Sequence, residues 1–432
     1  MSRTELARSR AKVDSRVGAG TPNEVRALTA LAFEELHDFP GAIREMHLGI
    51  AERAFRGVGP ASLPVRVVHD AVARAVYASL GVGASQAARV SDTALAQGGV
   101  GEDLALSGTP SGSAVIAALN GLIGDRLEDS GSALHQSVSV RLDGEVVGLD
   151  PSSLAYAFPD ATERIVVFLH GLMGTEFYWQ WGAADRGGSY GARLARELGY
   201  SPLYLRYNSG RHISQNGRSV AELLEELARS WPVEVGEVVL IGHSMGGLVA
   251  RSACHYGSQS DQRWTQHVTH VVSLGTPHLG APLEQAAHYA AAALSVLPET
   301  RMLGSFLRRR SAGIRDLRHG SLVDEDWRGR DPDALRAAAC KEVPLLEGAT
   351  HCFVSATITR SPRHPLGRLL GDTLVLVPSA SGKGRTRRIP FEDDNGHNVG
   401  STHHLALMIH PEVYARLRGW LVQPRSRGIR RR

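Results

Sequence analysis

The chain has 432 residues, of which 43% are hydrophobic and 21% are charged, so it can bury a large core and has an ordinary globular composition. Its net charge is only +4, and residues 425–432 alone contain five arginines. The basic charge therefore belongs to a tail, residues 423–432, and not to a face that binds nucleic acid. We predict a solvated tail, with loose contact to anionic lipid or nucleic acid as the alternative, and no nucleic-acid partner for the folded part.

The cysteines and the apolar stretches bear on cofactors and location. Cys254, Cys340 and Cys352 show no metal-binding spacing and no disulfide framework, which favours reduced thiols inside the cell. The first residues lack the apolar core of a signal peptide, and the most apolar stretch, residues 290–297, is too short to span a bilayer. We expect a cytoplasmic protein, at most peripheral to a membrane, with no metal and no organic cofactor.

The predicted elements change in kind along the chain. Residues 1–130 read as helices and carry no catalytic constellation. Residues 136–142 and 145–149 then alternate between apolar and polar side chains around Asp143-Gly144, which predicts a hairpin with a two-residue turn.

From there, apolar strands alternate with helical segments. The predicted strands are 164–169, 202–206, 238–241, 268–274, 352–358 and 389–391, and the predicted helices include 219–230, 245–255 and 411–421. This alternation predicts an α/β domain over residues 135–422, built on a doubly wound, mostly parallel sheet. Residues 286–348 interrupt the alternation, and we predict a cap or lid above the carboxyl ends of the strands, with a plain helical elaboration as the alternative.

The pentapeptide Gly242-His243-Ser244-Met245-Gly246 follows a β-branched run and precedes a helical pattern. This context is typical of a nucleophile elbow, in which a sharp turn leaves no room for side chains two residues either side of the serine. The same G-x-S-x-G pattern recurs around Ser189, but no strand precedes it. We therefore predict that Ser244 is the nucleophile and that Ser189 is not.

A serine hydroxyl is a poor nucleophile and needs a histidine base that a carboxylate orients. The chain order serine, acid, histidine places the acid at Asp372, in a turn after a predicted strand. A turn aspartate that caps a short strand is the alternative for Asp372, and Asp393 and Asp394 are weaker candidates in a polar loop.

The histidine should follow the last strand, predicted at 389–391. His397, His403 and His404 all lie there. We favour His404 because Leu405 to Met408 lead from it into the final helix, and His403 is the alternative.

An oxyanion hole needs two backbone N–H groups, which we assign to Met245 and to Leu172 after the strand that ends in His170-Gly171. Four further side chains could contact substrate: His170, Phe177, Trp179 and His243. For His170 we prefer a hydrogen-bonding role that shapes the loop. For the aromatic side chains an aromatic surface under the lid is the alternative to an acyl pocket.

Taken together, these residues resemble the α/β-hydrolase superfamily, in its bacterial esterase and lipase branch, close to triacylglycerol lipases and GPI inositol-deacylases. The matching segments are His170-Gly171, Gly242 to Leu248, Leu274 to Gly280, Gly371-Asp372 and His404-Leu405. The resemblance covers about residues 135–422 and implies the roles assigned above to Ser244, Asp372, His404, Leu172 and Met245. Two features depart from it: the long helical N-terminal part and the segment 207–212, which could bind a polar head group.

The expected function is hydrolysis of a carboxylic ester, from a small molecule or a lipid, through an acyl-enzyme. Two alternatives remain open at this point. The same triad could serve an acyltransferase or a thioesterase, and the chain could be a non-catalytic scaffold that uses its N-terminal helices as a partner surface.

Overall fold

The computed structural model describes residues 106–281, 310–332, 339–361, 371–384 and 387–423, together with Glu24, Ala27, Leu28, Leu31, Ala334, His364 and Gly367. Most of the predicted helical region 1–130, residues 286–309, 333 and 335–338 of the predicted lid, and residues 424–432 of the basic tail lie outside these described residues. Among the helices that are described, none has both the length and the apolar character needed to cross a bilayer.

Eight strands form one sheet. In chain order they are β1 Ser139–Leu142, β2 Glu145–Val147, β3 Arg164–Leu169, β4 Ser201–Arg206, β5 Glu237–His243, β6 Val268–Leu274, β7 Thr350–Ala356 and β8 Gly396–Val399. Their order across the sheet is β2-β1-β4-β3-β5-β6-β7-β8. β1 pairs antiparallel with β2 and β4, and every other pairing is parallel. The predicted hairpin and the mostly parallel, doubly wound sheet are confirmed.

Helices connect the strands and cover the sheet. The described ones are α1 Pro110–Asp129, α2 Pro151–Ala157, α3 Tyr190–Leu198, α4 Ile213–Ser230, α5 Met245–Gln259, α6 Trp264–His267, α7 Ala312–Asp316, α8 Val377–Ala380 and α9 Pro411–Val422. Short 3-10 turns include Glu176–Gln180 after β3 and His404–Met408 before α9.

The apolar side chains of the central strands are buried on both faces of the sheet. In β3, Val167 belongs to a cluster with side chains of α4 and α5, whereas Val166 and Phe168 belong to a cluster with side chains of α3 and α9. Because both faces are covered, the strands read as continuous apolar runs, and each fully buried side chain of this kind contributes about 1.5–3 kcal/mol.

The last strand is not where the sequence predicted it. Residues 389–391 lie outside the sheet, and β8 runs from Gly396 to Val399 beside β7. Pro390 has no N–H group for a strand ladder. Gly396, in contrast, lies on the ring of Phe353, where a Cβ atom would be 2.3 Å from Cζ. Ile389 and Phe391 instead pack with Phe353 in a small apolar cluster.

The described part of the predicted lid packs against the helices α4 and α5. Leu317, Leu322, Val323 and Val343 share the core cluster of those helices. The Ser252 hydroxyl donates a hydrogen bond of 2.7 Å to the carbonyl of Leu322. A lid function for residues 286–348 stays a prediction.

Candidate active site

β5 ends at His243 and α5 begins at Met245, with Ser244 between them at φ 54° and ψ −123°. This left-handed backbone is rare for a residue with a side chain and stores strain. A Cβ atom at Gly242 would lie 2.3 Å from the nitrogen of Gly247, and one at Gly246 would lie 2.3 Å from the carbonyl oxygen of Leu169. The two glycines are therefore required by the close approach of backbone to backbone at this turn.

The second G-x-S-x-G segment has a different structure. Ser189 is the N-cap of α3, and its hydroxyl accepts a hydrogen bond from the N–H of Ala192 and lies 3.2 Å from the hydroxyl of Tyr204. Its backbone, at φ −63°, is not strained. Ser189 thus serves to begin a helix.

Asp372 lies in a tight turn after β7 and is buried. Its Oδ1 atom accepts hydrogen bonds from the N–H groups of Leu374 at 3.0 Å and Val375 at 2.8 Å. Its Oδ2 atom lies 2.7 Å from Nδ1 of His404, and its carbonyl oxygen accepts from the N–H of His404 at 3.0 Å. Side chain and backbone of Asp372 therefore hold His404 together.

Of the candidate histidines, the structure brings only His404 to Asp372. His403 is exposed, and His397 lies in β8, where its Nε2 atom is 2.8 Å from Oε1 of Glu412. Since Nδ1 of His404 is bound to Asp372, its Nε2 atom is the one left for a reaction. That atom is buried and has no hydrogen-bond partner among the described residues.

The two weaker acid candidates have no described contact with His404. Asp393 is exposed and forms a salt bridge of 2.5 Å with Lys383, and Asp394 is exposed as well.

His243 contacts both the ring and the backbone of His404. The two rings are 4.7 Å apart, and Nε2 of His243 donates a hydrogen bond of 3.2 Å to the carbonyl of His404. Burial, followed by the nearby His404, holds the pKa of His243 well below its usual value of 6.5, so the ring is neutral. This buried position supports the backbone of His404 and leaves little surface for contact with a substrate.

The loop after β3 passes beside Ser244. A Cβ atom at Gly171 would lie 3.0 Å from Cβ of Ser244. Leu172 follows, partly buried, and then Met173 at φ 57°, whose N–H donates to the hydroxyl of Ser209 at 3.0 Å. The first N–H groups of α5 directly follow Ser244, and a helix N-terminus favours negative charge.

The two aromatic side chains predicted to line an acyl pocket lie in different surroundings. Trp179 is buried in the core, with its ring 4.9 Å from that of Phe168. Phe177 lies beside the β1–β2 turn, with the guanidinium of Arg206 5.9 Å from its ring centre. The described contacts bring neither ring to Ser244.

Within the segment 207–212, residues 207–210 are buried, whereas Arg211 and His212 are partly exposed, and binding of a polar head group by this segment stays a prediction. Asn208 is buried and donates from Nδ2 to the carbonyl of Gly124 at 2.8 Å. Ser209 accepts from Met173, and Tyr207 stacks on His170. The sequence marked this segment as unusual, but only the structure shows that it contacts the loop after β3.

Gly275, just after β6, is a site residue that the sequence reading passed over. It has φ 59°, and a Cβ atom there would lie 3.1 Å from both Nδ1 and Cε1 of His404. The sequence signal for it is the segment Leu274 to Gly280, which was used above only as one of the segments that match the α/β-hydrolase superfamily.

Within the described residues, no group of three or more His, Cys, Asp or Glu side chains is arranged to hold a metal ion. A serine, a histidine hydrogen-bonded to a carboxylate, and nearby backbone N–H groups are the groups that proton transfer and acyl transfer require.

Comparison with known proteins agrees with this fold. Residues 160–296 match the family model described as a PGAP1-like alpha/beta domain. The sheet order, the elbow and this match identify the α/β-hydrolase fold, and the predicted resemblance to that superfamily is confirmed. A search among curated proteins finds no match.

Solved structures of lipases are also similar over part of the chain. The Bacillus licheniformis lipase BlEst2 in propeptide form is 19% identical, with a TM-score of 0.40, and the alignment covers 60% of this chain and 50% of that one. Its mature form is 19% identical, with a TM-score of 0.38 and coverage of 60% and 92%. The Staphylococcus hyicus lipase is 15% identical, with a TM-score of 0.36 and coverage of 60% and 95%.

Proposed function

We propose that this chain is a serine hydrolase that cleaves carboxylic esters through a triad of Ser244, His404 and Asp372. The observation that carries the proposal is the buried hydrogen bond of 2.7 Å between His404 and Asp372, at the carboxyl edge of the sheet that bears Ser244. Nε2 of His404 has no hydrogen-bond partner in the part of the chain that the structure describes. A buried ring nitrogen without a hydrogen-bond partner lowers the stability of the fold, so its presence favours a catalytic role over a structural one.

The reaction follows from these positions. Nε2 of His404 accepts the hydroxyl proton of Ser244 as Oγ attacks the ester carbonyl carbon, and Asp372 stabilises the imidazolium that forms. The N–H groups of Met245 and Leu172 bind the oxyanion. When the tetrahedral intermediate collapses, the imidazolium gives its proton to the leaving alkoxide. Water, deprotonated by His404, then attacks the acyl-enzyme and releases the acid and the free serine.

The proposed substrates are esters of the small-molecule or lipid class. Several similar solved structures are those of lipases or esterases, which agrees with this class. An acyltransferase or thioesterase would use the same residues and would be recognised by product analysis with competing alcohol or thiol acceptors.

The first prediction compares the two serines in G-x-S-x-G segments. Ser244→Ala should abolish labelling by a fluorophosphonate probe and lower kcat on p-nitrophenyl esters by about 10⁴-fold or more. Ser189→Ala is the matched control: it removes a helix cap, which costs about 1 kcal/mol of stability, but should retain labelling and turnover. Circular dichroism verifies folding of both. Labelling of folded Ser244→Ala at the wild-type level would contradict the proposal.

A further inference from the structure

We infer that His170 and Tyr207 are positioning residues that fix the peptide group between Gly171 and Leu172, so that the Leu172 N–H faces the oxyanion. This inference rests on the proposed function. It gives a defined task to two buried side chains that do not touch the reacting atoms.

The two side chains form a closed set of contacts. Their rings stack with centres 4.1 Å apart and planes 7° apart. Nε2 of His170 accepts a hydrogen bond of 3.2 Å from the backbone N–H of Tyr207, and the Tyr207 hydroxyl donates to the carbonyl of His170. Both residues are buried. The imidazole is therefore held in one orientation.

These contacts decide which nitrogen of His170 carries the proton. Because Nε2 accepts from an N–H group, the proton of the neutral ring is on Nδ1, which donates to the carbonyl oxygen of Gly171 at 2.8 Å. Burial lowers the pKa of His170 to about 4, which keeps the ring in this neutral form at physiological pH.

The carbonyl oxygen of Gly171 has a second donor, the N–H of Gly174 at 3.1 Å. A carbonyl oxygen has two lone pairs, so both are occupied and its direction is fixed. In a trans peptide the N–H points opposite to the carbonyl, so fixing the Gly171 oxygen also fixes the Leu172 N–H.

The other end of the loop is held independently. Met173 has φ 57° and donates its N–H to the buried hydroxyl of Ser209 at 3.0 Å. Ser209 lies two residues after Tyr207, so β4 and the residues after it support both ends of the loop after β3, residues 170–173. The loop is thus held ready for a charge that develops only in the transition state, the condition under which such donors accelerate a reaction.

Two amide substitutions separate the contacts of the imidazole. The side-chain amide of His170→Asn lies near the position of Nδ1 and can still donate to Gly171, whereas that of His170→Gln lies near Nε2 and can still accept from Tyr207. We expect His170→Gln to lower kcat about 10- to 100-fold with KM changed less than about threefold. His170→Asn should retain a kcat about tenfold above that of His170→Gln.

A second readout distinguishes positioning from loss of structure. A trifluoromethyl ketone forms a tetrahedral adduct with the serine, so its inhibition constant should rise across the variants in proportion to the fall in kcat/KM. Thermal stability of the two amide variants should be similar. The matched controls are His267→Asn and His267→Gln, at the end of α6 near the amino edge of the sheet, which should keep wild-type kinetics.

Each outcome decides the inference. Equal kcat for folded His170→Asn and His170→Gln, or inhibition constants that do not follow kcat/KM, would overturn it while wild-type turnover leaves the proposed function intact. If neither His170 variant folds, Tyr207→Phe provides the test: it keeps the ring stack, loses the hydroxyl bond, and should lower kcat several-fold without raising KM. Wild type that neither labels nor turns over an ester would remove both the proposed function and this inference.

Discussion

At the scale of single residues, the candidate site depends on glycines whose neighbours are too close to leave room for a side chain. Gly242 and Gly246 allow the elbow, and Gly275 allows the ring of His404 to come close to the backbone after β6. Gly275 also has a positive φ of 59°, which favours glycine for a second reason. The packing around the proposed triad is therefore set as much by these glycines as by the three side chains themselves.

A Cβ atom at Gly275 would lie 2.8 Å from Cδ1 of Leu407 and 3.1 Å from two atoms of the His404 ring. Gly275→Ala should lower kcat about tenfold or more, because the new methyl group displaces this ring from its position beside Asp372. Gly199→Ala is the matched control, since Gly199 has a similar φ of 70° but no atom within 4 Å of a Cβ atom. Both substitutions should cost about 1–2 kcal/mol of stability from backbone strain. Steady-state kinetics and thermal melting measure the two effects, and equal kcat for the two variants would refute the steric argument.

At the scale of elements, helix α1 packs directly against the loop after β3, which carries the proposed oxyanion donor Leu172. A Cβ atom at Gly121 would lie 2.3 Å from Cγ of Met173, and the carbonyl of Gly121 accepts a hydrogen bond of 2.6 Å from the hydroxyl of Ser311. The helix thus contacts the loop after β3 on one side and the segment before α7 on the other. Although the sequence suggested no chemistry in residues 1–130, this part of it touches the site.

Gly121→Ala should displace Met173 and lower kcat several-fold, with KM little changed. Gly419→Ala, in the interior of α9, is the control because a Cβ atom there meets nothing within 4 Å. The control should keep wild-type kcat and gain up to about 1 kcal/mol of stability from the better helix former. A Gly121→Ala enzyme with wild-type kcat would show that α1 does not constrain the loop.

At the scale of the whole molecule, several histidines are buried in the neutral form. Burial lowers the pKa of His170 and His351 to about 4, and it holds those of His243 and His278 well below 6.5. In the unfolded chain these groups titrate near pH 6.5. Between about pH 6.5 and 4 the unfolded chain therefore binds more protons than the folded one.

The free energy of unfolding should consequently be at its full value above about pH 6.5 and should fall as the pH is lowered towards 4. We expect Tm to drop by about 5 °C or more between pH 7 and pH 5, measured by calorimetry. His351→Gln should reduce this slope, whereas His403→Gln, at an exposed position, should not. A Tm that stays constant from pH 7 to pH 5 would contradict the prediction.

The sequence by itself determined the sheet and the elbow. Strands β3 and β6 were predicted with their observed bounds, because apolar runs between turn residues carry a local signal. The strained turn at Ser244 was readable because its two glycines are a few residues from the serine. Asp372 and His404 are 32 residues apart, and they could be selected as candidates from the order serine, acid, histidine together with the residues that flank them.

Only the tertiary structure decided which side chains meet. The last strand is Gly396–Val399 and not the predicted 389–391, because glycine fits against the ring of Phe353. Trp179 is buried in the core. The tertiary structure also brought Tyr207 to His170 across 37 residues of chain. Such contacts depend on strand order and on the space left between packed elements, and neither quantity is encoded in the few neighbouring residues from which a pattern is read.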